Sequence, residues 1–245
     1  MHASSLIPAA MRKRALAALL PQDCVMCGAA ESQSVPAQDH SSLLCGACHA
    51  DLPWLPRPCC PVCALPTPGA AVCGRCIANP PHFDATRAAL AYRYPIEPLM
   101  QFYKYRGGVA VGALLAKLLG AAVSTAGPID FIAFVPLSGA RLAERGFNQA
   151  LEIARPLSKS LAIALRTDVC FRARHTGAQA ALPYAERRKN VRGAFACLED
   201  LSGLRIAVVD DVMTTGATLD EIAKTLKKRG AIHVENWVVA RALPR

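Results

Sequence analysis

Aromatic residues are scarce in this chain of 245 residues: Trp, Tyr and Phe make up 6%, whereas apolar residues make up 53%. The core must therefore be aliphatic and alanine-rich, as is ordinary for α/β folds. No stretch reaches 18 uninterrupted apolar residues, so no membrane span is expected. No Gly-x-x-x-x-Gly-Lys string occurs, which excludes a Walker phosphate loop. No secretory signal is expected either. Arg12-Lys13-Arg14 is followed by only six apolar residues before Pro21-Gln22-Asp23, too few for an h-region, and no small-residue cleavage site follows. Gln22-Asp23 before Cys24 also lacks the small residues of a lipoprotein cleavage site. The start reads as a short basic helix, and the protein as cytoplasmic.

Acidic residues are few: 18 Asp and Glu stand against 28 Lys and Arg, for a net charge of +10. Seven of the basic residues lie between Arg166 and Arg192, against only Asp168 and Glu186. Such a balance implies a phosphate-rich partner, either pyrophosphate or nucleic acid. Only Phe171, Tyr184 and Phe195 are at hand there for base stacking, which argues against sequence-specific readout.

Cysteine, by contrast, is abundant and clustered. Nine of the eleven cysteines fall between residues 24 and 76, and eight form Cys-x-x-Cys pairs: Cys24/Cys27, Cys45/Cys48, Cys60/Cys63 and Cys73/Cys76. Each pair suits a turn that points two thiolates at one ion, and two such turns complete a tetrahedral S₄ site. Disulfides would need an oxidising compartment, and no export signal is present. Redox Cys-x-x-Cys motifs occur singly rather than four in series. Structural zinc, two ions per chain, is the reading. Sequential pairing (Cys24, Cys27, Cys45, Cys48, then Cys60, Cys63, Cys73, Cys76) competes with a cross-braced arrangement. The gap of only 9 residues between the last two pairs favours the first. Cys59 reads as a spare thiol, Cys170 and Cys197 as buried small apolar residues, and His40, His49 and His82 as surface residues. Eight prolines between Pro53 and Pro81 exclude helix and inner strand there. The domain boundary is placed near residue 82: residues 1–82 form a helix and double ribbon, and 83–245 an α/β domain. On this division, removing Cys60 and Cys63 leaves residues 84–245 folded.

Beyond the boundary, strands alternate with helices. Strands are expected at Ala85–Tyr94, Ile129–Val135, Ile163–Phe171, Arg205–Val209 and Ile232–Ala240. Helices are expected at Ile96–Tyr105, Val109–Val123, Asn148–Leu161 (with Pro156 as a kink) and Leu219–Arg229. This alternation indicates a parallel sheet whose ligands bind at the strands' C-terminal ends.

The most informative string is Ile206-Ala-Val-Val-Asp210-Asp211-Val-Met-Thr214-Thr215-Gly216-Ala217-Thr218. A buried strand runs into two acids, then into a tight turn at a helix start. The amides and positive dipole end of that turn suit a phosphate, and Gly216 permits close approach and positive φ. Asp210 and Asp211 suit two vicinal sugar hydroxyls, or a Mg²⁺ that carries pyrophosphate. Together these groups describe a ribose-5-phosphate site.

This string resembles the phosphoribosyl-pyrophosphate (PRPP) motif of type I phosphoribosyltransferases. Further strings extend the likeness: Lys104-Tyr105-Arg106-Gly107; Val135-Pro136-Leu137 with Arg141 and Arg145-Gly146-Phe147-Asn148-Gln149; Arg174-x-Thr176-x-x-Gln179; and Arg187-x-x-Asn190-Val191-x-Gly193. With the cysteine module, the chain is similar to the ComF family from Cys24 to Arg241. The resemblance implies a type I phosphoribosyltransferase-like parallel-sheet domain preceded by a small double zinc ribbon. It implies PRPP with Mg²⁺ on Asp210, Asp211, Thr214, Thr215, Gly216, Ala217 and Thr218, with the two acids as the catalytic pair. It also implies a role in natural competence, where incoming single-stranded DNA is handled, with a competence helicase as a further partner. Ser138, Arg141 and Arg145 are candidate anion contacts; for Arg145 the competing reading is a salt bridge to Glu144 or Glu152. Arg174, Arg187, Arg188 and Lys189 form either a hood over pyrophosphate or a face for nucleic acid. Purine-salvage relatives place an acid two residues after the acid pair as proton acceptor for the base, and here that position is Met213, or Thr214 if the turn is aligned on Thr-Gly. Three readings stay open: a phosphoribosyl transferase with an unknown acceptor, a binding module for DNA or a helicase with a regulatory or relict PRPP site, and a zinc-organised scaffold.

Overall fold

In the computed structural model, residues 23–29, 43–105, 109–173 and 191–244 are described. The basic N-terminal helix expected before Pro21 lies outside them. The chain divides into two compact units, Met1–Leu52 and Pro53–Arg245.

In the first unit, Cys45 caps the short helix α1 (Gly46–Ala50), its Sγ accepting the Cys48 N–H at 3.4 Å. The Val25 N–H donates to Leu43 O at 2.9 Å and ties the first Cys-x-x-Cys turn to the segment before the second.

The second unit begins with the proline-rich segment. The Cys60 turn is closed by Cys60 N–H to Leu65 O (2.7 Å) and Ala64 N–H to Cys60 O (2.9 Å). A 3₁₀ turn at Pro68–Ala70 leads into α2 (Gly74–Ala78). The remaining elements are β1 (Ala85–Ala91), α3 (Ile96–Tyr105), α4 (Val109–Val123), β2 (Phe131–Phe134), α5 (Gly139–Arg145), α6 (Gln149–Leu161), β3 (Ala164–Leu165), β4 (Phe171–Arg172), β5 (Phe195–Ala196), β6 (Arg205–Met213), α7 (Ala217–Lys227) and β7 (His233–Arg241).

Five strands form one parallel sheet in the order β1-β7-β6-β2-β3. Its interior strands read as continuous apolar runs because both faces are covered: Ile206, Ala207, Val208 and Val209 of β6 are fully buried. α4 and α6 pack closely. A Cβ at Gly112 would stand 2.9 Å from the Tyr103 hydroxyl and 3.1 Å from the Glu152 carbonyl, so only glycine fits there. α6 continues through Pro156 rather than ending at it.

Three expectations change. The strand expected over Ile163–Phe171 is broken by a bend at residues 167–169. Its first part, β3, pairs with β2, and its last residue starts β4, which pairs antiparallel with β5 in a separate two-stranded ribbon. The polar Arg166-Thr167-Asp168 explains the break, since Arg166 turns to ion-pair with Glu199 and Asp168. β6 does not stop before the acids but runs on to Met213, because β7 keeps pairing alongside it: Asp210 lies opposite Val238 and Met213 opposite Arg241. The compact units also divide elsewhere than residue 82. Cys60, Cys63 and Cys76 are buried in the same apolar cluster as Phe83, Val208 and Met213 of the sheet domain. The second tetrad thus belongs to the compact unit that carries the sheet.

Candidate functional site

The strand order places a topological switch between β2 and β6: from β2 the chain moves outward to β3, then returns to lay β6 on the other side of β2. In open parallel sheets the crevice outside the strand ends at such a point receives the ligand. Two loops meet there, one after Phe134 and one after Met213. Val135 N–H to Val209 O at 3.0 Å keeps their roots in register.

Asp210 and Asp211 stand at this edge, each half-buried. Asp210 Oδ1 accepts the Asp211 N–H at 2.9 Å, and Asp211 Oδ1 accepts the Val212 N–H at 2.7 Å. Burial, then the neighbouring Asp211 carboxylate, push the Asp210 carboxyl well above the usual range. Lys104 at the end of α3 places Nζ 3.2 Å from Asp211 Oδ2. Burial acts to lower its pKa, but the attraction and hydrogen bond of Asp211, with Tyr92 and Asp210 adding to them, make the net shift upward. The ammonium therefore stays charged beside the acid pair. The sequence assigns Lys104 no role of its own. The Lys-Tyr-Arg-Gly string was the only signal of it available.

The turn Thr214–Thr218 leads into α7, whose N-cap is Gly216 at φ +82°. A Cβ there would also lie 2.6 Å from Met213 Cε, so the site demands glycine on two counts. Thr215 Oγ1 accepts the Ala217 N–H at 3.1 Å. Thr214 is exposed, Thr215 and Thr218 are half-exposed, and Gly216 and Ala217 are buried. Beneath the turn lies Arg241, 1% exposed. Its Nη1 is 3.0 Å from Met213 O and 2.5 Å from Thr214 O, and its Nε donates to Cys63 O at 2.8 Å. Arg75 of α2 donates to Thr215 O at 2.6 Å. Sequence reasoning gave neither arginine a role, because both act through contacts between distant segments. His82 is exposed, as expected, and engages Asp220 of α7 through its backbone N–H (2.6 Å) and Nδ1 (3.0 Å).

On the other loop, Ser138 caps α5 by accepting the Arg141 N–H, and Asn148 caps α6 by accepting the Leu151 N–H at 3.1 Å. Asn148 also donates to Val135 O at 3.1 Å, which fixes the loop after β2 to the start of α6. Arg145 bonds Gln149 Oε1 at 3.0 Å and lies over the Tyr105 ring, 5.7 Å from its centroid. Among the described residues, Glu152 pairs instead with Arg155. Arg174, Arg187, Arg188 and Lys189 lie outside the described residues.

The eight Cys-x-x-Cys thiols form two groups, Cys24/Cys27/Cys45/Cys48 and Cys60/Cys63/Cys73/Cys76. In each group, all sulfurs lie within 4.8 Å of one another. This is the sequential arrangement. A tetrahedron with Zn–S of about 2.3 Å has edges of roughly 3.8 Å. The separations Cys27 Sγ–Cys45 Sγ of 3.8 Å and Cys63 Sγ–Cys73 Sγ of 3.6 Å match such an edge. Burial raises the Cys24 and Cys60 thiols, but backbone N–H donors outweigh it and bring them down to about 6 and about 7. Their partners move the other way without an ion: the bond to Cys27 raises the Cys48 thiol, and burial raises that of Cys76. The donor set fits zinc. Cys59 takes no part: its Sγ donates to Pro56 O at 2.7 Å. Cys170 and Cys197 are buried, as expected.

Residues 15–77 match the family model described as a double zinc ribbon domain, and residues 106–243 match the phosphoribosyl transferase domain. Fold and site together therefore define a phosphoribosyltransferase-type domain joined to a double zinc ribbon. Among its relatives, DNA utilization protein YhgH of Salmonella typhi is 36% identical over 191 residues, covering 75% of this chain and 84% of that protein. Competence protein F of Haemophilus influenzae is 35% identical over 179 residues, covering 69% and 78%. Competence protein ComFC of Bacillus subtilis is 26% identical over 242 residues, covering 89% and 95%. The chain belongs to this ComF family of phosphoribosyltransferase-domain proteins. No helix among the described residues is long and apolar enough to cross a membrane.

Proposed function

We propose that the crevice between the β2 and β6 loops binds PRPP and that the protein serves the handling of DNA taken up during natural competence. The observation that carries the ligand reading is the placement of Asp210 and Asp211 at the switch point, immediately before the Gly216 turn into α7. The acids accept from the two ribose hydroxyls, and the Thr214–Thr218 turn donates to the 5′-phosphate. Ser138, Arg141 and Arg145 face pyrophosphate from the second loop. Mg²⁺ held with PRPP near Asp210 and Asp211 would neutralise pyrophosphate as it leaves.

Lys104 pairs with Asp211, the acid assigned here to a ribose hydroxyl. Arginines near the pyrophosphate offset charge as the ribose becomes oxocarbenium-like. Where purine-salvage enzymes carry an acid, this chain has Met213, or Thr214 if the turn is aligned on Thr-Gly, and Met213 is 2% exposed. Proton abstraction from a nucleobase at that position has no side chain to perform it.

The DNA role is supported by the relatives' names and by the basic segment between Arg166 and Arg192. Calorimetric titration with PRPP, with and without Mg²⁺, tests the ligand reading: binding strengthened by Mg²⁺ is expected, and no binding under either condition overturns it. Single-stranded DNA binding measured against salt tests the second role. Each phosphate contact contributes roughly 0.7 to the log–log slope. R187A/R188A/K189A flattens that slope if the segment meets DNA, and weakens pyrophosphate instead if it is a hood.

A further inference from the structure

We propose that the second cysteine tetrad holds the 213–216 loop in its anion-binding conformation through Arg241 and Arg75, so that metal in the tetrad and PRPP in the loop strengthen each other's binding. The proposal rests on the PRPP reading for its ligand, but not for its mechanical link.

Three consecutive carbonyls of the loop are held by two guanidinium groups. Arg241 bonds Met213 O and Thr214 O, and Arg75 bonds Thr215 O. In a trans peptide, C=O and N–H point in opposite directions. Pinning these carbonyls toward the ribbon therefore turns the N–H groups of Thr214, Thr215 and Gly216 toward the opposite face, as an anion requires.

Both guanidinium groups are tied to the tetrad's segments, Arg241 also bonding Ala242 O of its own strand end at 2.7 Å. Arg75 lies between Gly74 and Cys76 in α2, the helix that starts beside Cys73. Arg241 is buried, always charged, and anchored at Cys63 O, 178 residues away in sequence. A buried guanidinium keeps its position only while its acceptors stay in place. The Cys60–Cys63 turn and α2 are joined by the Cys73 N–H to Cys60 Sγ bond (3.4 Å) and by the ion that the four thiols fit. Without the ion, Cys63 O and Arg75 lose their fixed separation. A 320 Å³ cleft between Cys63, Cys76, Arg75, Thr215 and Gly216 leaves room for that shift. Coupling of binding free energies is reciprocal.

Hydrogen exchange of the 213–218 amides, followed by mass spectrometry on the full chain, tests the link without ligand. C73S, which opens the second tetrad, is expected to speed exchange about tenfold or more, a factor within the usual range of coupling between sites. R75A should give a smaller increase, and C45S in the first tetrad none. Unchanged loop exchange in both C73S and R75A overturns the proposal. If C73S loses protection throughout β6 and β7, R75A alone decides.

The reciprocal arm measures zinc release to a chelating dye from a C24S/C27S chain that keeps only the second tetrad. PRPP with Mg²⁺ should slow release several-fold, and R75A should reduce that slowing. Binding of PRPP with no change in release also overturns the proposal. If calorimetry finds no PRPP binding to the wild-type chain, the functional reading fails and the exchange arm still decides the link.

Discussion

Lys104 and Asp211 form an ion pair at 3.2 Å that joins the end of α3 to the acid pair of β6. Their side chains are 21% and 13% exposed, so solvent screens the pair little.

A double-mutant cycle with K104M and D211N, read by denaturant unfolding at pH 7, should give a coupling of about 1–3 kcal/mol. Each single change leaves one charge without its partner, so the double variant should be more stable than the sum of the singles implies. Additive effects would contradict a functional pair here.

Asp210 gives a pH signature. Its folded carboxyl holds its proton above the ordinary range, whereas the unfolded chain ionises within that range. Ionisation therefore costs the fold stability as pH rises past the ordinary value, and the cost is absent below it. D210N should raise the unfolding midpoint of the ligand-free protein at pH 7, and the gain should shrink as pH falls through the carboxylate range. A lower midpoint at pH 7 contradicts this. The same variant should bind PRPP more weakly, an exchange of stability for function.

G216A should destabilise by about 1–2 kcal/mol from the left-handed φ alone, with a further cost from the contact with Met213. G216A/M213A should recover only the second part. PRPP binding should fall in both, as followed by calorimetry. Full recovery of stability in the double variant would mean that backbone strain plays no part.

Metal analysis should find two zinc ions per chain. The two tetrads should differ in what they hold together: C60S/C63S should lower the unfolding midpoint of the parallel sheet, whose core includes Cys60 and Cys63, while C24S/C27S should leave it in place. Equal effects would place the second ribbon outside the core.

The strand, turn and helix start of the 206–218 string were legible because they are contiguous in the chain, so local pattern was enough. The eight thiols were legible for the same reason, since Cys-x-x-Cys is a local turn. The α3 and α4 boundaries followed from apolar periodicity, and both match Ile96–Tyr105 and Val109–Val123. What stayed hidden depends on pairing between distant segments. β6 runs past its acids only because β7 continues beside it. Arg241 looks like a strand-end surface residue until Cys63 and the 213–214 carbonyls surround it. The boundary near residue 82 followed the prolines, which mark irregular backbone, but irregular backbone can still be core when thiols and Phe83 fill the space beneath it.

The most direct measurement is calorimetry of D210N/D211N against wild type with two ligands, PRPP in the presence of Mg²⁺ and inorganic phosphate. The proposed function assigns the acids to the ribose and its metal, and the Thr214–Thr218 turn to the phosphate. The expected result is loss of PRPP affinity by tenfold or more, about 1.4 kcal/mol or above, with phosphate binding retained. Equal loss for both ligands, or no loss of PRPP, would contradict the assignment of this crevice.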